Sequence, residues 1–369
     1  MQVEAVFARP RAAVRHARIS AHRDLVRAGI WLAAATLATA TILIRRDLLP
    51  GAAASTWPPF LTLAVVIAVG LGLDALGLLR LLRHLIVPAA APGWIAAAGV
   101  LGFTALLSGL VNLDVAVVVA VPVGLAVARE RGLDPAHLAV SVALTANATS
   151  FLLPTSNLTT LLVLQGSAIS AVAYLRAIWL AWLLVTGLTI GCLGVLSVDR
   201  RGSAAPSAGA GQGRVASPPC VTRPASTPAP PRRALRMYAN RVTLALLDLV
   251  PMFIAAAAIR ALLHGGIGVG QGWPDALASS SALAALANNL PAAASVSATG
   301  VIARWAAVLG LALGPNLLVS GSVASLITRR LARDQGAGFG ALRFSLLGAA
   351  LLPAQLVVAV MALHLTGAV

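Results

Sequence analysis

The sequence contains no lysine: all 27 of its Lys/Arg-type cations are arginine. Charge of either sign is scarce, at 10% of 369 residues, and only 11 residues are acidic. Beside a hydrophobic content of 59%, that scarcity excludes an ordinary soluble domain and points to an integral membrane protein. Cysteine is nearly absent as well. Cys192 lies in an apolar run and Cys220 in a polar one, so there is neither a disulfide framework nor a metal-ligand spacing. No P-loop or other Gly-rich nucleotide motif occurs. No ATP site, cofactor or metal is therefore expected. His84, His137 and His264 are not placed by the sequence beside a serine or cysteine, so an enzyme is not expected either.

The net charge of +16 would suit a nucleic acid. The arginines, however, gather at the ends of apolar runs or in one linker, which is the positive-inside pattern of membrane loops. The expected partners are the lipid bilayer and a small molecule or ion, with no nucleic acid. A bias to Ala, Arg and Gly suggests a GC-rich bacterial genome, hence a bacterial inner membrane.

Residues 1–27 form a basic segment, followed by an apolar run from Ala28 to Ile44. They read as a cytoplasmic N-terminus and an uncleaved first span. Pro58 to Leu79 returns to the arginines at 80–84, with Asp74 placed either to pair with one of them or to bind an ion. Gly93 to Ala128 is apolar around the turn signal Asn112-Leu113-Asp114. Two full spans would fit, but the return arm from Val115 to Ala128 falls short of the roughly 20 residues that cross a bilayer. A re-entrant hairpin with its polar tip at membrane depth fits better.

Pro135 to Leu164 is long enough to cross, yet it carries Asn147, Thr149, Ser150 and Pro154-Thr155-Ser156-Asn157. Proline removes a backbone donor, so two half-helices joined near 154–157 are expected, the alternative being a proline-kinked helix. Ser170 to Val198 returns to the cytoplasm, with Trp179 and Trp182 read as packing or lipid-facing. Residues 199–241 shift to Ser, Pro, Gly and Arg and read as a disordered cytoplasmic linker.

The second half repeats the pattern. Val242 to Leu263 spans outward. Ala276 to Ala303 turns at Asn288-Asn289-Leu290-Pro291. Trp305 to Ile327 breaks around Gly314–Ser322, and Leu342 to Leu365 closes the chain. The chain thus divides into 1–27, a first membrane half at 28–198, the linker, and a second half at 242–369. Each half reads span, hairpin, broken span, closing span, with opposite orientation. The expected fold is an all-α polytopic bundle with inverted-topology repeats, two re-entrant hairpins and two broken helices, as in secondary transporters.

The two tips and two breaks would converge near the midplane. They bring Asn112, Asp114, Asn147, Thr155, Ser156 and Asn157 from the first half to Asn288, Asn289, Asn316, Ser320 and Ser322 from the second. Amides and hydroxyls both donate and accept, which suits a small polar solute or a desolvated cation. Asp114 is the single carboxylate among them. At membrane depth its charge must be neutralised by a proton, a cation or aligned dipoles, so it is the candidate for proton coupling.

At these residues the chain resembles the arsenite efflux permeases. Leu110-Val-Asn-Leu-Asp114 and Ala287-Asn-Asn-Leu-Pro291 are similar to their hairpin tips. Ser150 to Leu162, and Gly314-Pro-Asn-Leu with Gly321-Ser-Val-Ala-Ser325, resemble their broken helices. The likeness covers most of 58–366 and belongs to a wider ion transporter superfamily that includes sodium/proton antiporters and dicarboxylate importers. It implies an elevator-like secondary carrier, often a homodimer. The function expected from it is proton-coupled efflux of arsenite or antimonite. The alternatives are a sodium/proton antiporter or an organic-anion carrier of the dicarboxylate type. A membrane scaffold or a membrane enzyme is the alternative from another class. Leu113 in the first tip, Asn147, and Leu318-Val319-Ser320 in the second break depart from the permease pattern.

Overall fold

A computed structural model describes residues 28–76, 92–165, 167–197, 231–263, 267–298 and 300–369. The basic segment 1–27, the arginines and His84 at 80–84, His264, and most of the linker expected at 199–241 lie outside the described residues.

The described residues are almost entirely helical. Helix α1 (Ala28–Arg45) leads into α2 (Leu49–Ala75). The pair α3 (Gly93–Leu110) and α4 (Leu113–Arg131) follows. Then come α5 (Pro135–Ala148), a 3-10 turn at Pro154–Ser156, α6 (Leu158–Leu164) and α7 (Ala171–Leu196). In the second half α8 (Pro231–Leu262) precedes α9 (Trp273–Ala287) and α10 (Asn289–Ser295). Next is α11 (Val301–Leu313), then 3-10 turns at Gly314–Leu317 and Val319–Gly321, α12 (Val323–Asp334) and α13 (Ala341–Leu365). Two short strands, β1 (Ile267–Gly268) and β2 (Val296–Ser297), pair in parallel across the base of the α9–α10 pair. An all-α reading did not include that ladder.

Local chemistry explains the boundaries. Asn112 caps α4, its Oδ1 accepting from the backbone N–H of Asp114 at 2.8 Å. Asp114 then lies in the first turn and Arg129 and Arg131 in the last, where the helix dipole favours each sign. Gly132, at φ 61, ends the helix, and Leu133 N–H returns to Ala128 O. The return arm is therefore 19 residues long, not the shorter arm that stopped at Ala128, so length alone does not separate a re-entrant pair from two crossings. Helix α8 likewise begins at Pro231, inside the stretch read as linker.

Among the described residues, α1, α3, α7 and α13 are long and apolar enough to cross a membrane. Their outer faces stay apolar: Leu43 is 80% exposed, Leu346 62% and Met361 59%. The interior meanwhile buries Thr104, Ser108, Ser141, Thr145 and Thr149. In water so much apolar surface would drive association, whereas in a bilayer it is the lipid-facing side.

The halves interlock reciprocally. Helix α6 of the first half packs on α10 and α11 of the second, and α12 of the second packs on α4 and α5 of the first. Helix α2 packs on α8, and α7 on α13. Gln355 of α13 donates to Thr189 of α7 at 2.8 Å, a buried clasp in apolar surroundings. Trp305 of α11 stacks on Tyr174 of α7 with ring centroids 5.5 Å apart.

One ion pair ties the α4–α5 connection to the closing helix. Arg343 Nη1 donates to Asp134 Oδ2 at 2.8 Å, while Asp134 Oδ1 caps α5 through Ala136 N–H. Partial burial pushes the Asp134 carboxyl up, but bonds from Arg343 and the N–H groups of His137 and Ala136 outweigh it. The net position lies below its ordinary 3.8. A carboxyl lowered in the folded state adds stability above its unfolded pKa and loses it as pH falls through the folded value. Asp134→Asn preserves the cap and removes the charge. It is expected to cost about 1 kcal/mol or less at pH 7, because the pair is partly solvated. The difference in melting temperature from the unsubstituted protein should close as pH drops below 3.8.

Candidate functional site

The first break is held open by its own polar side chains. Helix α5 ends where Thr149 Oγ1 bonds back to Thr145 O and Ser150 Oγ to Asn147 O. Pro154 then starts a single 3-10 turn, and Asn157 caps α6 by accepting from Thr159 N–H at 3.1 Å. The interval is a true interruption, not a kink.

Tip and break meet in both halves through the same kind of bond. Asn112 Nδ2 donates to Ser156 O at 3.4 Å, and Asn288 Nδ2 donates to Ser320 O at 2.9 Å. Each asparagine also caps the helix that follows it, Asn288 through Leu290 N–H. Ser322 caps α12 through Ala324 N–H, in the place that Asn157 holds before α6. The two tips differ in one respect. Asn112 is extended, whereas Asn288 has φ 72 and ψ 145, and it is the one non-glycine residue at positive φ among the described residues. That region is nearly reserved for glycine and costs about 1–3 kcal/mol, a strain that clusters at ligand sites.

The halves are joined by a buried amide pair. Asn147 Nδ2 donates to Asn316 Oδ1 at 3.1 Å and to Ser325 Oγ at 3.0 Å, and Asn316 Nδ2 donates to Leu144 O at 3.2 Å. Asn157 Nδ2 reaches Ser150 Oγ at 2.9 Å, and Ser156 Oγ donates to Ser150 O. A continuous network therefore runs from Asn112 through Ser156, Ser150, Asn157 and Asn147 to Asn316 and Ser325. Asn147 Oδ1 and Thr145 Oγ1 are buried within it without a hydrogen-bond partner. An orphaned acceptor at that depth is costly unless something binds it.

The remaining candidates are less engaged. Asp114 is half-buried, and its carboxylate makes no hydrogen bond or ion pair among the described residues. It does not bond to the 154–157 turn. Thr155 is half-buried and Asn289 buried, neither with a side-chain hydrogen bond among the described residues. Ser320 is exposed and contributes its carbonyl.

Sequence reading missed four contributors. Ser150 and Ser325 were visible as polar residues but not as network members. Trp182, read as packing or lipid-facing, donates Nε1–H to Thr149 O at 2.8 Å and so satisfies a carbonyl freed by the break. Arg260 is the fourth, a lone arginine inside the apolar run that ends at Leu263. It lines a cavity of about 420 Å³ at the base of the second helix pair.

Matching against known families reaches the same class by another route. No curated protein matches the chain. The family model described as citrate transporter, CitMHS, matches residues 22–363, nearly the whole length. With its apolar outer faces and interrupted helices, the chain is a multi-pass membrane transport protein, and it belongs to the citrate transporter family.

Proposed function

We propose that this protein is a secondary active carrier of small carboxylates, citrate among them. The observation that carries the proposal is the amide–hydroxyl network spanning both breaks, in a chain that belongs to a citrate transporter family. The amide and hydroxyl groups of such a network supply donors for carboxylate oxygens without a fixed positive charge.

In this reading the halves are inverted repeats and both helix pairs are re-entrant. The reciprocal packing of α6 and α12 supports that arrangement. The N-terminus is cytoplasmic, the membrane is a bacterial inner membrane, and the carrier works as a homodimer. Asp114 couples solute to proton. A carboxylate solute beside an ionised Asp114 meets like charge, and a proton on Asp114 removes it, so solute and proton are carried together. Purified protein in vesicles is expected to take up labelled citrate or a dicarboxylate when the outside is made acidic. Absence of uptake across mono-, di- and tricarboxylates would overturn the substrate class.

A second reading is efflux of arsenite or antimonite with proton exchange. Among the described residues no cationic side chain joins the tip–break network, which favours it, since neutral arsenous acid presents only hydroxyls. Expression in an arsenite-sensitive bacterium separates the two. Resistance without carboxylate uptake supports the oxyacid, and uptake without resistance supports the carboxylate. A sodium/proton exchange reading predicts salt tolerance in an antiporter-deficient strain.

A further inference from the structure

The cavity at the base of the α9–α10 pair lies apart from the tip–break network. Its walls include Asp47 and Leu48 between α1 and α2, Ser55 of α2, Arg260 of α8, Ala294 of α10 and Ser297 of β2. At about 420 Å³ it has the size of a small-molecule site. Arg260 is half-buried in the last turn of α8 and makes no hydrogen bond or ion pair among the described residues. The bland account of such an arginine is a counter-charge to the C-terminal end of its own helix. That account leaves its five N–H donors unused toward the described residues and does not explain the cavity they share with two serine side chains.

We infer that this cavity is an anion-binding vestibule that takes a carboxylate group of a small organic acid on the Arg260 guanidinium. A planar fork binds a carboxylate through two parallel N–H bonds, which an ammonium does not reproduce. Ser297 offers one further donor, while the Ser55 hydroxyl already donates to Ala52 O at 2.9 Å. Asp47 is exposed in the cavity wall and opposes a second negative charge, so it tunes affinity downward. Helix α10 connects the two places. It starts beside the strained Asn288 tip and ends at the cavity, and its seven residues span about 10 Å. A solute held at Arg260 is thus one short helix from the tip. Identification of the anion as a carried solute rests on the carboxylate reading above; the anion site itself does not.

The test is calorimetric titration of citrate, succinate and acetate into the full chain in phosphatidylcholine nanodiscs, paired with uptake in vesicles. The unsubstituted protein should bind the acids. Arg260→Gln should weaken binding about tenfold or more, with Arg260→Lys intermediate because it keeps charge and loses the fork. Asp47→Asn should tighten binding about twofold to threefold at low salt, an effect that fades as salt rises. Each variant's melting temperature establishes that it is folded. Binding that depends on Arg260 without any uptake supports the vestibule and overturns the carrier reading. Uptake with affinity unchanged in Arg260→Gln overturns the vestibule and leaves the carrier standing. No binding of any of the three acids overturns the vestibule. Loss of citrate binding when phosphatidylglycerol replaces the neutral lipid also overturns it, by assigning the guanidinium to a lipid headgroup.

Discussion

Asp114→Asn is expected to abolish proton-coupled transport while the protein remains folded and inserted. Asp114 follows the capping Asn112 in the first turn of α4, and among the described residues its carboxylate has no bonded partner to lose. The substitution keeps the shape, and the amide still suits a helix N-terminus. Only the titrating group disappears. Removing a carboxylate that no arginine pairs with leaves no buried cation behind, so the destabilisation typical of broken ion pairs should be absent. The measurement is uptake driven by an imposed proton gradient, alongside exchange of internal for external solute without a gradient. Gradient-driven uptake should vanish, and exchange should survive if the solute site is intact. Normal dependence on the gradient in Asp114→Asn would make this carboxylate structural and place coupling elsewhere.

The second large effect is at a glycine. A Cβ added at Gly348 of α13 would overlap the carbonyl oxygen of Asn316, and Asn316 holds the amide pair that joins the halves. Gly→Ala inside a helix ordinarily stabilises by about 1 kcal/mol. Here overpacking against backbone, which does not move aside as a flexible side chain does, costs roughly 1–3 kcal/mol and reverses the sign. Gly348→Ala should therefore lower the melting temperature and reduce uptake by displacing Asn316 from Asn147. Gly191→Ala in α7 is the control, because nothing lies within 4 Å of its added methyl, and it should stabilise. Equal melting temperatures and equal uptake for the two variants would show that the second break is not held by α13.

The parts of this architecture that were legible in the sequence are those written in local chemistry. Asn112, Pro154 with Asn157, Asn288 and Gly314-Pro315 each interrupt an apolar run. A proline or a capping amide acts on the residues next to it. Element order, the two tips and the two breaks follow from that. The return arm of α4 was cut short because Arg129 and Arg131 read as loop, although arginines in a last turn favour the helix end. Helix α8 was started late because the arginines and prolines before Val242 looked like linker, whereas Pro231 sits at a helix start and Ala-Leu-Arg-Met favours a helix.

Pairing at long range was not legible. Nothing near Asn147 shows that its partner is Asn316, or that Arg343 meets Asp134. These bonds exist because the halves interlock, and neither residue's neighbours encode that. Arg260 had a signal, since a single cation in an apolar run is costly at membrane depth. The strain at Asn288 is a backbone property that the Asn-Asn-Leu-Pro string does not distinguish from a relaxed cap such as Asn112.

In the carrier reading, a small carboxylate moves through a site linking the two breaks. The most direct measurement is counterflow in vesicles loaded with unlabelled citrate and diluted into a trace of labelled citrate. The account predicts transient accumulation of label above equilibrium, lost in an Asn147→Leu, Asn316→Leu double variant that removes the buried amide pair. A flat trace for the unsubstituted protein, or undiminished counterflow in the double variant, would contradict it.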